Sequence, residues 1–353
     1  MDSCGQRERL ACLVVAHNLG DAVIQSGLMR DLVASGYADS YLVWTRPQVA
    51  FLFENLPGCE VICSQFPVGT SKQMGGTAIF TFLKAAWQLR RRRPSVTIDL
   101  IGDLRDRLFA RLVGTPRHLH IGWAEGHPFG RLIRNPFGNG APFVTVPSDV
   151  RNVYAAHGLM LARLAQGHEL QFEYPPPVTE GGDPANRTVH ALRVGLHPFA
   201  SQACKLWPME NWRQLTGDLL ARGAEISAFG APSERAALVN LFAGLGDRVR
   251  LVTGSMQGFA DEAAALDVMV GLDSFSVHMA QRQGTRSVMI NAGNTPELWA
   301  PPDGVVLAHS AGCVHYPCSN VPHCEGTAGE YACVKSVEPG EVVAAIFESH
   351  SLS

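Results

Sequence analysis

Short aliphatic runs alternate with longer amphipathic stretches along nearly the whole chain. The runs at 10–16, 40–44, 59–63, 96–101 and 118–121 read as strands, and the stretches at 21–34, 48–55, 77–91 and 104–113 as helices. In the third helix Ile79, Phe82, Leu83 and Ala86 fall at helical spacing, and Pro94 lies just beyond its end. Strands that are apolar throughout must be covered on both faces. Helices alternating with them supply that cover, so the expected class is α/β with a mostly parallel sheet.

Residues 174–187 read Tyr-Pro-Pro-Pro-Val-Thr-Glu-Gly-Gly-Asp-Pro-Ala-Asn-Arg, a composition that marks a connector. After it the alternation restarts, with strands at 192–197, 224–229, 249–252, 268–272 and 287–290. Helices are expected at 209–221, 232–243 and 259–266, and a last one after Pro339. The expected organisation is a first domain over 1–174, a linker over 175–190 and a second domain over 191–335. A closing helix over 336–353 is free to pack back on the first domain. Two such halves facing a cleft bind ligands at the carboxyl ends of their strands.

Composition narrows the function classes. The 353 residues suit two domains, and 46% are hydrophobic while 17% are charged, against roughly 25% charged in ordinary soluble chains. That excludes a disordered chain. A net charge of -3 argues against a general nucleic-acid binder, which needs a basic face. The apolar run at 10–16 is too short to span a membrane and no cleavage site follows it, so a cytoplasmic protein is expected. Nine cysteines are too few for a disulfide scaffold.

Chemistry-bearing residues sit at strand ends. The first strand runs into His17-Asn18-Leu19-Gly20-Asp21, where Asp21 taken alone reads as a helix cap. No G-x-G-x-x-G fingerprint accompanies it. The strand at 192–197 leads into a loop carrying Ser201 and Lys205, which suit phosphate contact and equally a solvated loop. The next strand ends before Glu234, placed to favour a helix dipole or to accept ribose hydroxyls. The strand at 268–272 ends in Asp273-Ser274-Phe275-Ser276-Val277-His278. There a helix start offers backbone N–H groups to an anion.

As a collinear set these segments resemble the bacterial heptosyltransferases of glycosyltransferase family nine. The set comprises Gly20-Asp21, His197-Pro198 through Lys205-Leu206-Trp207-Pro208, Gly230 through Glu234, and Asp273-Ser274 through His278. The resemblance implies a GT-B fold of two Rossmann-like domains and an inverting, metal-independent transfer from ADP-heptose. The acceptor it implies is a saccharide or glycolipid, above all the lipopolysaccharide core. By that resemblance Asp21 is the general base, Lys205 and Ser201 neutralise the diphosphate, and Glu234 binds the ribose. Asp273, Ser274 and His278 belong to the phosphate-binding turn. Phe199 and Phe275 depart from the pattern, standing where members usually carry Gly.

Cys313, Cys318, Cys324 and Cys333 crowd the segment 313–333, with His315 and His323 among them. Four soft ligands suit a structural zinc or iron, and reduced thiols packing a loop fit as well. The resemblance implies no cofactor for catalysis. The run Arg90-Arg91-Arg92-Arg93 reads as a solvated helix end or, more sharply, as contact with an acidic acceptor or lipid headgroups. The segment 123–140, rich in Gly, Pro and Arg, suits an acceptor loop. The expected partners are thus a nucleotide-sugar and a saccharide or glycolipid, with no nucleic acid and at most peripheral membrane contact. The rivals are a transferase acting on a natural product or a protein side chain, a silent nucleotide-sugar binder, and a GT-B epimerase.

Overall fold

The computed structural model describes residues 8–67, 76–127, 141–165, 191–319 and 321–351. The chain divides into two compact units, Met1–Tyr174 and Pro175–Ser353. The connector at 174–187 and most of the segment 123–140 lie outside the described residues. Among those described, no helix is long and apolar enough to cross a membrane.

In the first unit β1 (Glu8–Val15), α1 (Leu19–Ala34) and β2 (Ala38–Thr45) lead to the short helix α2 (Phe51–Glu54) and β3 (Cys59–Cys63). Then come α3 (Gly76–Arg92), β4 (Val96–Asp99), α4 (Leu104–Val113), β5 (Arg117–Trp123), β6 (Val144–Val146) and α5 (Val153–Leu164). The sheet order is β3-β2-β1-β4-β5-β6, every pair parallel. Above one sheet face, Trp44 packs on Phe66, Phe82 and Phe109 at centroid distances of 5.0, 5.0 and 5.9 Å. Its indole N–H donates to Ser64 Oγ at 2.8 Å, so the buried polar edge is satisfied. The face of α3 differs from the sequence expectation. Phe82, Ala85, Ala86 and Leu89 are buried, whereas Ile79 and Leu83 point to solvent.

The second unit repeats the plan with β7 (Arg193–His197), α6 (Met209–Ala221), β8 (Glu225–Phe229), α7 (Arg235–Leu241) and β9 (Val249–Val252). It continues through α8 (Met256–Ala264), β10 (Val268–Leu272), α9 (Phe275–Arg282), β11 (Arg286–Asn291), α10 (Pro296–Trp299) and β12 (Gly304–Ala308). The short helix α11 (Ala332–Lys335) and α12 (Pro339–Ser351) close the chain. The order is β12-β11-β10-β7-β8-β9, again all parallel. Trp207 and Trp212 meet edge to face at 5.0 Å in the core, and the Trp207 indole donates to Val337 O at 2.8 Å. α12 packs on α6 and against β11 and β12 of its own unit.

Both sheets reverse their direction of winding beside their first strand, between β1 and β4 and between β7 and β10. Loops leaving neighbouring strands at such a point run in opposite directions and leave a crevice at the carboxyl ends.

Candidate active site

Two crevices are expected from this winding, one in each unit, and each is crossed by an ion pair, buried in the first and part-buried in the second. At the β1/β4 crevice, Asn18 caps α1 and its N–H donates to Asp21 Oδ2 at 3.0 Å. Asp21 is half-buried. Beside it, His17 Nε2 meets Asp106 Oδ2 at 2.6 Å, tying the end of β1 to α4. The charges of His17 and Arg105 both act on the Asp21 carboxylate. Arg105 is itself anchored, donating from its backbone N, Nε and Nη2 to Asp103 at 2.8 Å each. Burial raises the Asp103 carboxyl, but these Arg105 hydrogen bonds outweigh it and hold the group below its usual range. Arg46 grips the loop from the far side, with Nε donating to the carbonyls of Ala16 and His17 at 3.2 and 3.1 Å.

The backbone around this crevice leaves little slack. Asp99 Oδ1 accepts the N–H groups of Ile101 and Gly102 at 2.9 and 2.8 Å, turning the chain sharply after β4. Gly102 has φ +78°, and a Cβ there would lie 2.1 Å from Ile121 O, so only glycine fits.

Burial opposes a charged His17, but the charge and hydrogen bond of Asp106 outweigh it and raise the imidazole to about 9. Asp99, Asp103, Asp106 and Asp21 face this cluster as acids, and Arg105 as the opposing cation. Burial pushes Asp106 up to about 6, with His17 opposing the rise. A base whose folded pKa is raised contributes fully below its unfolded value and loses that contribution as pH climbs through the folded value. Stability should therefore fall between pH 6.5 and about 9, a window that lies above the Asp106 value of about 6. Thermal unfolding across that window tests this: Tm should decline in the wild type, and Asp106→Asn should flatten the slope. An unchanged slope in the variant removes the pair as its source.

At the β7/β10 crevice, Lys205 ends a tight turn over Ala203–Lys205. Its Nζ donates to Asp273 O and to Asp273 Oδ2, both at 2.9 Å, bridging the loop after β7 to the end of β10. Asn294 Nδ2 donates to the same Oδ2 at 3.0 Å. Burial raises the Asp273 carboxyl, and Lys205 followed by Asn294 more than reverses this, so the group sits below its ordinary range. His278 is buried and driven down to about 4 by desolvation, against the pull of Asp273, so it is neutral at pH 7. Ser274 occupies the N-cap of α9 but makes no capping bond, its Oγ turning instead to Ser276 Oγ at 3.2 Å. The first-turn N–H groups of α9 are thus left uncapped by that side chain beside a fixed ammonium, an arrangement suited to an anion.

Glu234 and Phe199 flank Gly230, with Glu234 Oε2 and Phe199 Cε2 each 3.2 Å from where a Cβ would stand. Glu234 Oε2 accepts the Ala231 N–H at 2.7 Å. Ser201 is exposed on the preceding loop. Phe275 leans its ring on His197 at 5.3 Å and on Phe259 at 4.9 Å, and so is housed in an aromatic cluster beneath the turn. The structure therefore gathers Lys205, Asp273, Ser274 and His278 at one crevice and pairs Glu234 with Phe199 at the next strand end. Asp21 stands at the corresponding crevice of the other unit. His17, Asp106, Asp103 and Asn294 escaped the sequence reading. His17 and Asp106 are 89 positions apart, and no local spacing signals such a pair.

The cysteine segment is folded as a series of turns. Cys313, Cys318, Cys324 and Cys333 are free and half-buried, and Cys324 Sγ accepts the Tyr331 N–H at 3.4 Å. Burial raises the Cys333 thiol, helped by Cys318 and Cys324, and raises Cys204, where Cys318 adds a smaller push. Among the described residues, no three His, Cys, Asp or Glu side chains converge as metal ligands.

Residues 171–327 match the sequence model of glycosyltransferase family 9 (heptosyltransferase). In three dimensions the chain is similar to a family 9 glycosyl transferase from Veillonella parvula, with TM-score 0.66 and 13% identity, over 99% of this chain and 100% of that one. It is similar to the E. coli heptosyltransferase WaaC with ADP, with TM-score 0.64 and 16% identity, over 96% and 99% of the two chains. A third likeness is to the iron-containing dodecameric glycosyltransferase TibC from enterotoxigenic E. coli, with TM-score 0.56 and 13% identity, over 98% and 77%. No curated protein matches the chain in sequence. At these identities the structural likeness speaks for the fold, and the match over 171–327 speaks for the family. Residues 171–327 thus carry the match to family 9, the two parallel sheets have the GT-B fold of the solved heptosyltransferases, and together they indicate a glycosyltransferase.

Proposed function

We propose that the protein transfers a heptose or related sugar, with inversion, from ADP-heptose or a similar nucleotide-sugar to a hydroxyl of a saccharide or glycolipid. A lipopolysaccharide core acceptor and a cytoplasmic setting belong to this reading. The observation that carries it is the Lys205–Asp273 pair beside the uncapped first turn of α9, inside the segment that matches the family. An ammonium and a helix N-terminus together stabilise negative charge that grows on a leaving diphosphate. They do so through direct hydrogen bonds and the helix dipole. Ser201, Ser274 and His278 add polar contacts there, His278 as a neutral imidazole, and Glu234 takes the ribose. Asp21 accepts the proton of the attacking acceptor hydroxyl. The first domain then serves the acceptor and the second the donor, with the linker over 175–190 between them.

The crystallised relatives support the nature of the donor, WaaC having been solved with ADP and with an ADP-2-deoxy-2-fluoro heptose. The iron in the name of TibC is a property of that protein. Phe199 beside Glu234 favours a second reading, an enzyme with a changed donor sugar or an acceptor such as a natural product or protein side chain. Incubation with ADP-heptose and a panel of nucleotide-sugars, followed by assay of released nucleotide, separates the two. Release from ADP-heptose alone supports the first, and release from another donor the second. Binding of no nucleotide-sugar at all refutes both.

A further inference from the structure

α3 is amphipathic twice over. Phe82, Ala85, Ala86 and Leu89 face the sheet, yet the outward side is not polar. Ile79, Phe80, Leu83 and Trp87, three or four residues apart, form a second apolar stripe, with Phe80 67% and Trp87 56% exposed. α4 packs beside α3 on the same sheet face and exposes Leu108 and Leu112. Scattered exposed apolar residues need no explanation, but six on two adjoining helices form a patch.

The charges around the patch are mostly positive. α3 contains no Asp or Glu, and the single acid of α4, Asp106, is buried against His17. Lys84, Arg90, Arg91, Arg93 and Arg111 are exposed, and among the described residues none has a carboxylate partner. Arg92 and Arg105 are engaged with Glu60 and Asp103. Arg91 lies over the Trp87 ring at 4.7 Å, a cation seated on an aromatic as at a lipid–water boundary. The whole chain carries a net charge of -3, so this cationic face runs against the average.

We propose that the outer face of α3 and α4 docks on an anionic lipid bilayer. The helix axes would lie along the surface, the stripe centred on Trp87 in the headgroup boundary and the arginines at the phosphates. A second copy of the chain is the poorer occupant. A twofold contact through this patch would set arginine against arginine and bury the repulsion. The inference rests on surface chemistry alone and stands apart from the donor and acceptor assignments.

The test is co-sedimentation of the full chain with vesicles of phosphatidylcholine, with and without phosphatidylglycerol. Binding is expected only with the anionic lipid, and it should be lost as salt rises from about 0.1 M to about 1 M. The triple variant Phe80→Ser/Leu83→Ser/Trp87→Ser should weaken partitioning by roughly 100-fold or more. Lys84→Glu/Arg91→Glu should weaken it by at least about tenfold. Neither variant should shift thermal unfolding, since the altered side chains are solvent-facing. If the triple variant misfolds, the lipid and salt dependence of the wild type still decides. No binding to anionic vesicles at low salt, or equal binding to neutral ones, overturns the proposal. So does an oligomer in solution that the triple variant converts to monomer.

Discussion

Replacing Asp21 by Asn is expected to lower glycosyl transfer by roughly 10²–10⁴-fold, the contribution typical of a positioned general base. Donor affinity should stay within about twofold, because every residue proposed to hold the donor lies in the second unit. Asparagine is the informative substitution. Its side-chain oxygen still accepts the Asn18 N–H that Asp21 Oδ2 takes at 3.0 Å, so the start of α1 keeps its cap. Alanine removes both the proton acceptor and the cap, at a cost of about 1 kcal/mol in stability. If Asn and Ala variants lose transfer alike while only Ala lowers Tm, the carboxylate acts in the chemistry as well as in the fold. Steady-state nucleotide release, calorimetric titration of the donor and thermal unfolding give the three readouts. Turnover equal to wild type in Asp21→Asn removes the residue from the mechanism.

Lys205→Met has two expected consequences that can be separated. The first is structural. Lys205 and Asp273 are 15% and 6% exposed, and removing the ammonium strands a buried carboxylate that keeps only the Asn294 hydrogen bond. Breaking a buried pair from one side costs about 3–5 kcal/mol, since the remaining charge is uncompensated. The second is functional, a donor affinity lower by roughly 10–100-fold for one lost charge-assisted contact to phosphate. The double variant Lys205→Met/Asp273→Asn removes the stranded charge and should recover most of the lost stability. It should not recover donor affinity. Donor binding restored along with Tm would make Lys205 a structural residue only.

The order of elements was largely legible in the chain, because two-sided burial leaves apolar runs that few other structures tolerate. The strand Val249–Val252, the strand Val268–Leu272 and the helix Leu104–Val113 begin and end where the pattern does. Two short strands were missed: β6 has three residues, and β12, Gly304–Ala308, was passed over although Val305-Val306-Leu307 is an apolar run close behind Pro301-Pro302. α3 shows a different kind of failure. Its apolar residues nearly encircle the helix, so periodicity identifies a helix but not its inward face. Alanines at 85 and 86 face the sheet and Trp87 does not, because Trp44, Phe66 and Phe109 already fill the space above the sheet.

The same division runs through the candidate site. Position along the chain put Asp21, Lys205, Glu234 and Asp273 after strands, where each suits a cap or a solvated loop as well as a ligand contact, and only the resemblance to family nine singled them out together. What each side chain holds was decided by tertiary structure. The Lys205–Asp273 pair spans 68 positions and the His17–Asp106 pair 89, and both close only when the crossovers bring first and fourth strands together. Alternation of residue types is a local property that the backbone expresses strand by strand. An ion pair across a crevice depends on the winding of the whole sheet, and no local window of sequence contains it.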